Sequence, residues 1–163
     1  MTLVFNHPEL KDLARIMKIE QEGFSPEEAA TEKAMAERIE LINDTFIVAR
    51  NEEQVVGYIV GPAYNKRYLT DDLYEELTPN DQSAPYQTVL SLAVAVDYHY
   101  QGLGSDLLSC LAERAKSQGR KAITLTCLAE LVPFYEKNGY QNEGVSESAH
   151  AGERWYNMVY SLE

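Results

Sequence analysis

Cysteine is scarce: the 163 residues contain Cys110 and Cys127, far apart and in no CxxC pair. That argues against a disulfide scaffold or a cysteine-based metal centre, and fits a reducing, cytoplasmic address. No apolar stretch comes near the roughly 20 residues of a membrane-spanning helix. The N-terminus shows no basic-then-apolar leader, so neither membrane nor export is expected. Basic residues are few as well, 14 Lys and Arg against 26 Asp and Glu, for a formal charge of −12. A nucleic-acid binder carries the opposite sign. An acidic surface can attract cationic small molecules such as amines, but it also simply keeps a chain soluble, and charge alone favours the second reading. There are no repeats, low-complexity tracts or linker-like stretches, so a single domain over 1–163 is expected.

The chain does contain a well-marked alternation of elements. A strand is expected over 2–5, then a helix from His7-Pro8-Glu9 with Leu10, Leu13, Ala14 and Met17 as its apolar stripe, interrupted at Gly23. Ser25-Pro26-Glu27-Glu28 carries the marks of a second helix start, with Ser25 as cap and Glu28 closing a capping box, running to about Glu40. Strands over 45–49 and 55–60 form a hairpin, where Gly57 marks a bulge or a close contact. A long connection over 61–85 holds a short helix near 70–77 and the tyrosines Tyr64, Tyr68 and Tyr74. Connections of that length are either binding loops or merely loose. Residues 86–96 are apolar on both faces, as in a buried central strand.

After them Leu103, Leu107, Leu108, Leu111 and Ala115 line one face of a helix that stops at Gly119. A strand over 121–127, a helix over 131–138 and strands over 140–146 and 155–160 complete the order β-α-α-β-β-β-α-β-α-β-β. The expected fold is α/β of the mixed α+β kind: a single twisted mixed sheet of about seven strands flanked by helices.

The most informative stretch joins the central strand to that helix: Leu92-Ala93-Val94, then Tyr98-His99-Tyr100-Gln101-Gly102-Leu103-Gly104-Ser105. A strand, a glycine turn and a helix start bring free N–H groups and the positive end of the helix dipole together, which suits a phosphate. Gly102 and Gly104 let the backbone approach a ligand, and the Ser105 hydroxyl adds a donor. Two phosphate motifs are absent. Leu107 leaves GxGxxG incomplete, and no GxxxxGK[ST] occurs. Taken alone, the glycines are equally explained as a steric requirement of the turn.

The surrounding residues resemble the acyl-CoA signature of the GNAT superfamily of N-acetyltransferases: Arg or Gln, two variable residues, Gly, one variable residue, then Gly or Ala. His99 stands at the Arg/Gln position, a departure. A second segment, Leu131-Val132-Pro133-Phe134-Tyr135-Glu136-Lys137-Asn138-Gly139-Tyr140, is similar to the family's FYEKxGF segment, one helix and one strand further on. Patches around Glu22–Ala30 and Tyr64–Thr70 look like the arylalkylamine (serotonin) N-acetyltransferase branch. In the vertebrate enzymes of that branch two histidines precede the glycine turn and help deprotonate the amine; Thr88 and Leu90 stand there in this chain.

The resemblance implies a GNAT fold with a splayed central strand pair and direct acetyl transfer from acetyl-CoA, with no metal, to a small arylalkylamine- or polyamine-like primary amine. It implies that backbone N–H groups of Leu92, Ala93 and Val94 serve the oxyanion and the pantetheine. His99, Tyr100, Gln101, Gly102, Leu103, Gly104 and Ser105 would hold the pyrophosphate. Tyr135 would contact CoA and, as a phenol protonated at neutral pH, donate to the leaving thiolate.

The base stays unassigned. His99 is tied to the turn, His7 and His150 are expected to be distant or solvated, and Glu20, Glu22 and Glu130 are candidates, directly or through a water, although such residues are more often plain surface acids. Both cysteines are expected to be buried and inert, with an acyl-cysteine intermediate as a lesser alternative. Three other readings stay open: a protein lysine or N-terminal acetyltransferase, a non-catalytic acyl-CoA-binding module, and a nucleotide-binding enzyme. Many family members pair through their C-terminal strands, so monomer and homodimer are both compatible with the resemblance.

Overall fold

Alternating burial in the first hairpin sets the architecture. β2 (Phe46–Asn51) and β3 (Gln54–Val60) pair antiparallel around a tight turn in which Glu52 has a φ of +58°. Phe46, Val48, Val55, Tyr58 and Val60 face one apolar body; Ile47, Ala49, Val56 and Ile59 face another. Both faces are therefore covered. α1 (Leu13–Gly23) and α2 (Glu32–Leu41) lie on the first face, and α3 (Leu103–Ser117) lies on the second through Leu103, Leu107, Leu108, Leu111 and Ala115. The register shifts between Ala49 and Arg50, opposite the segment that holds Gly57. A Cβ on Gly57 would sit 3.2 Å from the Ala93 carbonyl and 3.2 Å from Leu107, so the close-contact reading of this glycine holds as well.

The structure is a computed structural model that describes residues 2–163. Its other strands are β1 (Leu3–Asn6), β4 (Ala63–Tyr64), β5 (Tyr86–Val89), β6 (Ser91–Val94), β7 (Ala122–Cys127), β8 (Gln141–Val145) and β9 (Tyr156–Ser161). α4 (Val132–Lys137) precedes β8. In place of one sheet of about seven strands there are two: an antiparallel sheet in the order β1-β2-β3-β6, and a mixed sheet in the order β4-β5-β7-β9-β8 whose β5·β7 pair is parallel.

The expected central strand over 86–96 is the seam between the sheets. Its first half pairs with β7 up to Val89↔Leu125, and its second half pairs with β3 from Val60↔Ser91 onward. The Leu90 N–H donates to the Val60 carbonyl at 2.7 Å, so Leu90 and Ser91 both face Val60. Two residues against one is a bulge, and it bends the strand away from its former neighbour. This is the splay that the family resemblance implied.

Two helix expectations are corrected. Leu10 is 52 % exposed and Ala14 is exposed, because residues Leu10–Asp12 form a 3-10 turn ahead of α1 and shift its phase. The buried face is Ile16, Met17, Ile19 and Glu20. α2 starts at Glu32 under a Thr31 cap, whose hydroxyl accepts from the Ala34 N–H at 3.1 Å. At Ser25 a single turn does form, and Glu28 does reach back to the Ser25 N–H at 3.1 Å. It goes no further, because the Ala30 N–H is taken by the Glu20 carboxylate at 2.9 Å.

Candidate active site

Past the bulge, β6 keeps a neighbour on one edge. The Ala95 N–H donates to Val56 O at 2.8 Å, and Ala93 stands opposite Tyr58. Strand alternation then turns the N–H groups of Leu92 and Val94 toward the opposite edge, where β7 has parted from the seam. Backbone donors left free there are what an incoming chain of amides needs.

The chain next turns through Val96–Tyr98 into the glycine turn. Tyr100 has a φ of +62° and Gly102, the N-cap of α3, a φ of +81°, a conformation that favours glycine. Gly104 has a different reason to lack a side chain: a Cβ there would stand 3.2 Å from the Phe134 ring of α4. The strand edge, the turn and α4 enclose a cleft of about 580 Å³. Every residue expected to touch acyl-CoA lines it except Gln101, which is exposed and donates to Asp97 O at 3.3 Å. Lys137, given no site role in the sequence reading, adds a cation to the same wall.

His99 is turned differently from the expected phosphate contact. Its Nε2 lies 2.8 Å from the Val94 carbonyl and donates to it, so the ring braces the free edge of β6.

A second, narrow pocket of about 80 Å³ opens on the other side of the seam, and it shares Leu92, Leu131 and Tyr135 with the cleft. Tyr135 is 7 % exposed. Its ring packs edge-on against Phe134 and Tyr140, and no side-chain or backbone hydrogen bond from the described residues acts on its hydroxyl. Burial, then the nearby Cys127 and Tyr74, raise the phenol above its ordinary range, so it stays protonated. Burial, with Glu130 adding to it, pushes the Cys127 thiol up to about 12, which leaves no thiolate for an acyl-cysteine route at neutral pH.

The second pocket holds the candidate base Glu20, buried where a surface acid was the commoner expectation, and the residues that sequence reasoning missed. Glu20, which is 1 % exposed, accepts from Tyr58 Oη, from the Ala30 N–H at 2.9 Å and from Ser91 Oγ at 3.3 Å. Arg38, 2 % exposed, donates to Ser91 Oγ at 3.1 Å. His150, expected to be distant or solvated, instead lines the pocket. It stacks on Tyr74 with centroids 5.0 Å apart and planes 7° apart, and it meets Trp155 at 5.8 Å.

Tyr74 comes from the long connection, which is clamped to β8 by Arg67 bidentate on Glu143 (2.8 and 2.6 Å) and by Tyr68 on the same carboxylate. Glu22 and Glu130 are exposed, and His7 sits far along β2 between Phe46 O and Arg114. Thr88 is fully buried and donates to Pro62 O, and Leu90 packs with Leu69 and Leu73. A signal for Glu20 existed: it lies three residues after Met17 and four after Ile16, on the buried stripe of α1.

Among the described residues no three His, Cys, Asp or Glu side chains converge as metal ligands, and no helix is long and apolar enough to cross a membrane. The family model of the acetyltransferase (GNAT) domain matches residues 14–162. A serotonin N-acetyltransferase from Mesocricetus auratus is 36% identical over 95 residues, 57% of this chain and 44% of that protein, so the chain spans less than half of that relative. The loading GNATL domain of CurA from Lyngbya majuscula superposes with a TM-score of 0.85 at 15% identity, over 99% of this chain and 98% of that one. Naa50 from Arabidopsis thaliana, solved with the bisubstrate analogue CoA-Ac-MVNAL, gives 0.75 at 16% identity over 99% of both chains. At such identities the two superpositions speak for the fold.

Proposed function

The chain belongs to the GNAT acetyltransferase family, and from that premise we propose that residues 1–163 form one catalytic domain that moves acetyl from acetyl-CoA to a small primary amine. The observation that carries this reading is the meeting of two separate pockets at Leu92, Leu131 and Tyr135, in the gap opened by the bulge. The larger cleft fits a CoA: its glycine turn offers the N–H groups of residues 102–105 at the start of α3, and Lys137 stands beside them. The free N–H groups of Leu92 and Val94 suit the pantetheine and the carbonyl oxygen of the thioester.

In the transfer the amine nitrogen bonds to the acetyl carbon, the C–S bond breaks, and the amine loses a proton. Tyr135, held protonated by burial and lining both pockets, gives its proton to the departing sulfur in this reading. For the amine's proton the pocket offers Glu20 and His150. The Glu20 carboxylate is already engaged by three donors. His150 Nε2 donates to Glu28 O at 3.4 Å and keeps Nδ1 free, so His150 takes the proton in this reading.

The narrow pocket, walled by Tyr74, His150 and Trp155, favours a small aromatic amine over a protein chain. Acetylation of peptide N-termini is the second reading, supported by the fold shared with Naa50 and its peptide-linked analogue. Thiol release from acetyl-CoA across arylalkylamines, polyamines, amino acids and peptides, for the wild type and His150→Gln, decides among these. Small aromatic amines should turn over and the variant should lose most of the rate. Tight acetyl-CoA binding without turnover on any acceptor would overturn the enzymatic reading.

A further inference from the structure

Arg38 is the group in the acceptor pocket whose chemistry is left incomplete. It is 2 % exposed, yet its side chain makes one hydrogen bond among the described residues, from Nη1 to Ser91 Oγ at 3.1 Å. A guanidinium presents a planar fork of N–H donors, and a buried one needs them met. The neighbouring carboxylate does not meet them. Glu20 forms no ion pair with Arg38 and is itself satisfied by Tyr58, Ser91 and the Ala30 N–H. The two charges share Ser91, on the bulge beside the acetyl site, and the Arg38 fork lines the pocket with its remaining donors unused.

The enclosed part of the pocket, about 80 Å³, has room for two or three waters or for one small planar anion, and the pocket is open to solvent beyond it. A carboxylate matches the fork with two parallel hydrogen bonds. We propose that Arg38 is the anion-binding residue of the acceptor pocket, and that the preferred acceptors are amines that also carry a carboxylate, of the amino-acid class. This rests on the acetyl-transfer reading above for its substrate, though not for its binding site. The stacked wall of Tyr74, His150 and Trp155 then takes the side chain of such an acceptor.

The test uses ligands that differ in that one group. Calorimetry on the CoA-loaded protein compares N-acetylphenylalanine with N-acetylphenethylamine and with N-acetylphenylalanine amide. The acid should bind about 10- to 100-fold more tightly than either neutral ligand. Arg38→Gln should erase the difference while leaving acetyl-CoA affinity unchanged. Arg38→Lys, which keeps the charge and loses the fork, should retain part of it and serves if the Gln variant does not fold.

Equal binding of acid and neutral ligands, or a preference that survives in both variants, overturns the proposal. So does a preference for malonyl-CoA over acetyl-CoA that appears without one for the acid product, because the carboxylate would then belong to the acyl donor. Thiol release on phenylalanine and phenethylamine separates the two inferences. A binding preference with no turnover would remove the acetyl-transfer reading and keep the subsite, whereas turnover without preference would do the reverse.

Discussion

Replacing Tyr135 by Phe removes one oxygen from the junction of the two pockets and little else. The ring contacts with Phe134 and Tyr140, at 5.1 and 5.6 Å between centroids, survive in Phe. No hydrogen bond from the described residues acts on the hydroxyl, so none is stranded, and stability should change by less than about 1 kcal/mol. If the phenol also touches CoA, the lost hydrogen bond weakens acetyl-CoA binding by roughly 0.5–1.5 kcal/mol, at most about tenfold. Loss of a proton donor to the leaving sulfur is larger: general-acid catalysis contributes about 10²–10⁴ in rate, or ~3–5 kcal/mol of barrier. The expected signature is therefore a fall in kcat of about a hundredfold or more beside a nearly unchanged Kd for acetyl-CoA. Thiol release gives the first quantity and calorimetry the second. Because burial raises this phenol above its ordinary pKa of 10, its ionisation should cause no alkaline loss of activity below about pH 10. An unchanged kcat, or a kcat/KM that falls only in step with acetyl-CoA affinity, would refute the reasoning.

Gly104→Val should weaken acetyl-CoA binding by about tenfold or more in calorimetry, because its side chain must enter the space between the turn and the Phe134 ring, where a Cβ alone meets carbon at 3.2 Å. Gly61→Ala should destabilise the fold severely, seen as a lowered melting temperature or loss of soluble protein, because its Cβ would fall 2.1 Å from the Thr88 carbonyl on the seam strand. Asp12 is held below the usual carboxylate range first by its hydrogen bonds from Arg50, at 2.8 and 3.0 Å. Its contribution is thus complete above the unfolded pKa of about 3.9 and is lost as pH falls from there through the folded value. Asp12→Asn should cost about 1.5–3 kcal/mol at pH 7 in denaturant melts and flatten their dependence on pH below about 4.

The proposed donor side was legible because it is built from consecutive residues. The glycine turn, the helix stripe from Leu103 to Ala115 and the Phe134-Tyr135 segment each carry their geometry in local order, and all but Gln101 of the expected contacts share one cleft. The acceptor side was hidden for the opposite reason. Glu20, Arg38, Ser91 and His150 come from α1, α2, the bulge and the loop before β9, and only tertiary packing joins them. The two missed helix phases have local causes that no periodicity displays: a 3-10 turn at Leu10–Asp12, and a Glu20 carboxylate that takes the Ala30 N–H and halts the turn begun at Ser25. The seam was hidden too, since an unbroken apolar run over 86–96 does not reveal that its halves pair with different strands.

That seam explains why both pockets exist at one place. β5 lies parallel to β7 while β6 pairs with β3, and the bulge at Leu90-Ser91 allows one run of chain to satisfy both. Bending there frees the N–H edge at Leu92 and Val94, proposed above for the acyl donor, and the same bend sets Ser91 between Glu20 and Arg38 in the proposed acceptor pocket. The walls on the two sides then derive from different elements: β6, the glycine turn, α3 and α4 around the donor, and α1, α2 and the two long connections around the acceptor. On the proposed reading, affinity for acyl-CoA and choice of acceptor should accordingly be separable. Changes at Arg38 or His150 should act on the acceptor alone and changes at Gly104 on the donor alone, while substitutions at Leu92, Leu131 and Tyr135, which line both pockets, should disturb the two together.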